Sequence, residues 1–295
     1  MTQSVMARLR ALGDEFTPAQ IMATRDLYAS LVAGPADVGA IVERDQHYGP
    51  DAKQCLDVFH RGDAGAQRPV VVFVHGGGFV QGDKGAADAP FYNNFGAWAV
   101  RAGFVGVTMT YRLAPAHKWP SGSEDVDSAS RWLAANVHRF GGSPQRIVMV
   151  GTSAGATHIA GYFAGHGRDP GAQSLLAGAV LISGIYQFTG EDGDSRHDDY
   201  FGPDRSRRAG FSTMDALANL RTPCLYTLNE MDPPPWHKQV ATLVTACVNA
   251  TGHYPRVLYL EGHNHVSNVM QLSSTGDTLG EPMARFVRQC TGLEA

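Results

Sequence analysis

A layered α/β fold, in which a mostly parallel sheet carries helices on both faces, is what this sequence predicts. Three observations predict it. Continuous apolar runs such as Pro69–Val74 and Ile147–Val150 suit strands buried on both sides. Between them lie stretches long enough for helices. The glycine-rich segments His75-Gly76-Gly77-Gly78-Phe79 and Gly151-Thr152-Ser153-Ala154-Gly155 each directly follow one of these runs. They fall where open parallel sheets hold their ligands, at the carboxyl ends of strands.

Residues 1–40 mix apolar and polar positions at helical spacing, with Thr17 as a cap and Pro18 as a first helical residue. This segment is expected to form a small helical N-terminal arm packing as a lid over a single catalytic domain at residues 41–295. Strands are expected at Ala40–Glu43, Leu56–Phe59, Val70–Val74, Val105–Thr110, Ile147–Val150, Ala179–Ser183, Cys224–Leu228 and Arg256–Leu260, which makes an eight-stranded sheet. Helices are expected at Ala89–Arg101, Ser123–Asn136, Ala154–Gly165, Pro235–Ala250 and Glu281–Gln289, the last amphipathic. Residues 187–209 turn polar, with Glu191-Asp192-Gly193-Asp194 and Arg205-Ser206-Arg207-Arg208, and read as a surface excursion rather than core.

At 295 residues, 43% hydrophobic and 18% charged, the chain is long enough for one large core. A net charge of −4 without a dense Lys/Arg run argues against nucleic acid or anionic membranes as partners. Neither a signal-peptide pattern nor a long uncharged apolar run is present, so the expected location is cytoplasmic. Cys55, Cys224, Cys247 and Cys290 match neither a disulfide framework nor a metal knuckle, and are expected to be reduced thiols.

Gly151 to Gly155 has the strand-turn-helix context of a nucleophile elbow, in which a strained turn lifts the Ser153 hydroxyl clear of the sheet. The helix starting there aims free N–H groups and its positive end at any oxyanion beside the serine. Gly76 to Gly78 leave further N–H groups uncovered, so the expected oxyanion hole is the N–H groups of Gly77, Gly78 and Ala154. His75 is expected to orient this loop, and Phe79, with His75, to border the substrate pocket.

A serine hydroxyl needs a histidine to take its proton and an acid to hold that histidine. Asp232, after the Pro223–Leu228 run, is favoured as the acid over Glu230, though an Asp before two prolines also suits a helix cap. His265, after the Val257–Leu260 run, is favoured as the base over His263. A metal site built from Glu261, His263, His265 and His253 is the competing reading. It lacks an HExxH or Cys/His knuckle, so no metal and no cofactor are expected.

From about Gln46 onward the chain resembles the α/β-hydrolase superfamily, close to hormone-sensitive-lipase-like carboxylesterases and the kynurenine formamidase group. Tyr48-Gly49-Pro50, Tyr111-Arg112-Leu113-Ala114-Pro115, the two glycine motifs, Asn229-Glu230-Met231-Asp232-Pro233 and the Gly262 to His265 loop carry the likeness. Thr152 stands where the lipase-like group usually has Asp, and Ser183-Gly184-Ile185-Tyr186 is similar to the formamidase side. The resemblance implies a serine hydrolase acting on a small-molecule ester, or alternatively on an N-formyl or aryl amide. It also implies edge strands and a last helix through which a homodimer can form. Some members lacking the histidine are small-molecule receptors, but here all three triad residues are present. Arg112 and Asp125 are read as a structural pair.

Overall fold

A computed structural model describes residues 2–168, 173–188 and 194–293. Two helices open the chain, α1 (Thr2–Leu12) and α2 (Pro18–Ala29). The Thr17 hydroxyl caps α2 by accepting the Gln20 N–H at 3.2 Å, with Pro18 in the first turn, where a missing N–H costs nothing. Eight strands follow: β1 (Ile41–His47), β2 (Cys55–His60), β3 (Arg68–Val74), β4 (Val105–Met109), β5 (Gly142–Thr152), β6 (Leu176–Ile182), β7 (Cys224–Met231) and β8 (Arg256–Asn264). They form one sheet in the order β1-β2-β4-β3-β5-β6-β7-β8. β1 and β2 join antiparallel, β2 runs antiparallel to β4, and every later pairing is parallel.

Each expected strand is present, and the differences are of length. β7 and β8 run three or four residues past the apolar runs that announced them, carrying Asn229, Glu230 and His263 inside the sheet. The helices are α3 (Asn93–Arg101), α4 (Ser121–Asn136), α5 (Ala154–Phe163), α6 (Ser195–Phe201), α7 (Met214–Ala218), α8 (Pro234–Thr251), α9 (Ser267–Met270) and α10 (Gly280–Cys290).

β3 is buried almost along its whole length because both faces are covered. On one face Val70, Val72 and Val74 meet Val126, Leu133, Ile159 and Ala160 of α4 and α5. On the other, Val71 and Phe73 meet Phe95 and Trp98 of α3 with Met283, Phe286 and Val287 of α10. This alternation is the period of two expected of a strand. Arg112 and Asp125 are indeed a structural pair: Arg112 Nε donates to Asp125 Oδ1 at 2.8 Å, the Arg112 N–H to Oδ2 at 2.7 Å, and Gln54 adds a 2.7 Å bond. Tyr48 donates to the Thr110 carbonyl at 2.7 Å, fixing the first hairpin to the end of β4. All four cysteines are free thiols.

The polar stretch after Gln187 departs from its expected place at the surface. Glu191, Asp192 and Gly193 lie outside the described residues, but Phe188, His197, Tyr200, Phe201 and Arg208 are buried. Tyr200 stacks on Phe79 with ring centroids 4.6 Å apart, and Phe188 packs on Phe201 at 4.3 Å. Charges at neighbouring positions masked three aromatic anchors that cover the glycine loop.

Candidate active site

β5 brings the chain to Ser153 and α5 carries it away without a loop, which forces Ser153 to φ 53°, ψ −118°, a costly conformation for a residue with a Cβ. The turn closes because Gly155 has no side chain: a Cβ there would lie 2.1 Å from the Val74 carbonyl oxygen. The Ser153 N–H donates to Ile182 O at 2.8 Å and its carbonyl accepts from Thr157 N at 3.2 Å, so the strained backbone is held from β6 and α5.

β7 and β8 end beside this turn. His265 Nδ1 lies 2.7 Å from Asp232 Oδ1, and both side chains are buried. Asp232 Oδ2 accepts from Ser183 Oγ at 2.6 Å and from the Asn229 N–H at 2.8 Å. Burial opposes the carboxylate's charge, yet the His265 hydrogen bond and charge, together with Ser183 and Asn229, outweigh it and hold Asp232 below the usual carboxylate range. An ionised Asp232 only accepts, so Nδ1 carries the proton and Nε2 is the free acceptor. That Nε2 is buried without a hydrogen-bond partner, and His265 and Ser153 line the same cavity. Pro233, not Asp232, occupies the cap position of α8, which disposes of the capping role.

The competing residues go elsewhere. Glu230 accepts the Gly262 N–H at 2.6 Å and pairs with Arg10 at 3.1 Å, tying α1 to the end of β8. His263 bonds Ser267 Oγ at 3.0 Å through Nδ1 and Thr278 Oγ1 at 3.1 Å through Nε2, so neither nitrogen is free. Glu261 is exposed and faces Arg10 at 3.5 Å. The metal cluster is thereby dispersed, and among the described residues no three His, Cys, Asp or Glu side chains are grouped to hold an ion.

The glycine loop follows β3 and folds over Ser153. Gly77 has φ +128° and a Cβ there would stand 1.9 Å from Gln81 O, so only glycine fits. Ala154 opens α5, where its N–H has no partner within the helix. Phe79 borders the cavity beside Ser153. His75 does not line it: the ring is buried under the loop, Nδ1 bonds Gly76 O at 2.6 Å, and it stacks on Tyr111 at 4.2 Å. Its place in the pocket wall is corrected to that of a support beneath the loop.

Two cavities meet at Ser153. One, of about 260 Å³, is bounded by Phe79, Ala154, Ile185, Trp236 and Gln239. The other, of about 230 Å³, is bounded by Gly76–Gly78, Tyr92, His265, Val269 and Met270. Phe16, Gly78, Ser153 and Arg196 border both. Phe16 and Trp236 flank His265 with ring centroids 4.5 and 4.7 Å away. Sequence reasoning missed Phe16, Trp236, Arg196, Ser183 and Asn229. Only the last two carried a local signal, each standing at the carboxyl end of a strand.

Burial lowers the pKa of His75 to about 4, of His158 to about 3 and of His263 to about 4. Between pH 6.5 and these values the unfolded chain binds protons that the native one refuses, so stability falls as pH falls. Each depressed histidine is expected to cost about 1.4 kcal/mol at pH 5.5, on the order of 4 kcal/mol for the three together. Urea unfolding at pH 7.5 and 5.5 measures this. Equal stabilities would show that these rings protonate in the native state.

The family model described as BD-FAE matches residues 56–171. Over 98% of the chain and 97% of the other, the fold superposes on inhibited esterase B from Lactobacillus rhamnosis with a TM-score of 0.75 at 18% identity. The chain has the α/β-hydrolase fold. Esterase LipI of Mycobacterium tuberculosis is 40% identical over 111 residues, 38% of this chain and 33% of that protein. Carboxylesterase NlhH of the same species is 41% identical over 108 residues, 37% of this chain and 32% of that one. The chain thus spans about a third of the length of these curated relatives. Among its described residues no helix is long and apolar enough to cross a membrane.

Proposed function

We propose that this α/β-hydrolase cleaves carboxylic esters of small molecules through an acyl-enzyme on Ser153. The observation that carries the reading is His265, held by Asp232 at 2.7 Å with Nε2 unpartnered in a cavity that Ser153 shares. His265 Nε2 takes the proton of Ser153 Oγ as Oγ bonds to the ester carbonyl carbon. The N–H groups of Gly77, Gly78 and Ala154 receive the oxyanion, each such donor being worth about 3 kcal/mol in the transition state. The carbon to alkoxy-oxygen bond breaks and the leaving oxygen takes the proton from His265. Water then repeats the sequence on the acyl-enzyme, releasing the acid and restoring Ser153. No step calls for a cofactor. Residues 1–40 act as an arm over the entrance, which Phe16, Ile21 and Arg25 on the cavity wall support. The names of the relatives agree with ester chemistry.

Hydrolysis of short p-nitrophenyl esters beside an N-formyl aryl amide tests the reading. Ester turnover without comparable amide cleavage is expected, because an amine leaves less readily than an alkoxide and needs earlier protonation. Efficient amide cleavage with feeble ester turnover would make the protein an amidase using the same residues.

A further inference from the structure

We propose that the substrate is an ester whose leaving alcohol carries a carboxylate, bound by Arg25 and Arg196; this rests on the serine-hydrolase reading above. Arg196 Nε and Nη2 are taken by Asp194, at 2.9 and 2.6 Å to its two oxygens. Nη1 makes no such bond and turns to the glycine loop, 2.9 Å from where a Cβ on Gly78 would stand. Arg25 lies over the Phe91 ring at 5.2 Å. Both arginines border the 230 Å³ cavity, and among its described lining residues there is no Asp or Glu. Asp194 offsets one guanidinium, and Asp232 lies behind His265. One net positive charge therefore faces this cavity, which matches a monoanion, and a planar carboxylate suits the guanidinium fork. The remaining wall includes Phe16, Ile21, Val266, Val269 and Met270, so the body of the group is apolar. His265 borders this cavity and must reach the leaving oxygen to protonate it, which places the alcohol portion here. The cavity past Ala154 is left for the acyl chain.

The test compares 4-acetoxybenzoate with its methyl ester as substrates for the wild type, Arg25→Met and Arg196→Met. In parallel, binding of 4-hydroxybenzoate and methyl 4-hydroxybenzoate to Ser153→Ala is measured by calorimetry. We expect the charged member to be favoured about tenfold or more in both kcat/KM and affinity, the scale of a charge-assisted hydrogen bond. The ratio should fall about tenfold in each arginine variant and shrink with added salt. Using a ratio removes any general effect of a variant on folding. Equal use of the two members, or a ratio unmoved by both variants, overturns the proposal. Failure to hydrolyse either ester while 4-hydroxybenzoate still binds preferentially would overturn the esterase reading and leave the carboxylate site standing.

Discussion

Replacing Ser153 by alanine is expected to lower kcat by about a millionfold, the loss seen when a serine hydrolase loses its nucleophile. The fold should survive. Ser153 is held through its backbone, by Ile182 O and Thr157 N, and alanine keeps both bonds and meets the same strain at φ 53°. Unfolding free energy should therefore change by less than about 1 kcal/mol. The proposed oxyanion donors and the cavities remain, so a small rate above that of water should persist. Steady-state kinetics on a p-nitrophenyl ester, with denaturant unfolding on the same preparation, measures both numbers. A variant that is folded and keeps a tenth of wild-type turnover would sink the role of Ser153.

The parts of this site that were legible in the sequence are those fixed by neighbours along the chain. A glycine two residues either side of Ser153 is demanded by how tightly β5 turns into α5, and that demand is written within five residues. The buried parallel strands were legible for a similar reason, since cover on both faces leaves an unbroken apolar run. The pocket walls obey no such local rule. Phe16 reaches His265 only because α1 and α2 pack across the ends of β8 and α9, and nothing in the first 40 residues says which ring points inward. Residues 194–208 look solvated by composition, yet Arg208 is fully buried and pairs with Asp198, while Tyr200 lies flat on Phe79. The pairing with Asp198 offsets part of the desolvation cost of burying the Arg208 guanidinium, and composition alone does not show that partner. The support of Asp232 was half legible: Ser183 stood out after its strand, but the 2.6 Å bond to Asp232 spans 49 residues.

His265→Ala is expected to cost about as much as Ser153→Ala, roughly a millionfold in kcat, and the double variant no more than either alone, because the proposed nucleophile and base would act as one unit. His263→Ala is the informative control, two positions away. Its ring bonds Ser267 and Thr278 inside the fold, and alanine removes one hydrogen bond from each hydroxyl, leaving Ser267 its bonds to Asn264 and Thr278 its bond to Gln271. The expected loss is about 1–3 kcal/mol of stability, with kcat changed by no more than a few fold. The two rings part company because β8 ends at Asn264. His263 is still held in the sheet and turns towards Thr278, whereas His265 lies past the last ladder position, where the chain bends towards α9 and leaves the ring free to meet Asp232. Stability and kcat thus separate the residues on independent axes. Full activity in His265→Ala with loss only in His263→Ala would move the base to His263 and require Asp232 to be reassigned as a buried structural carboxylate.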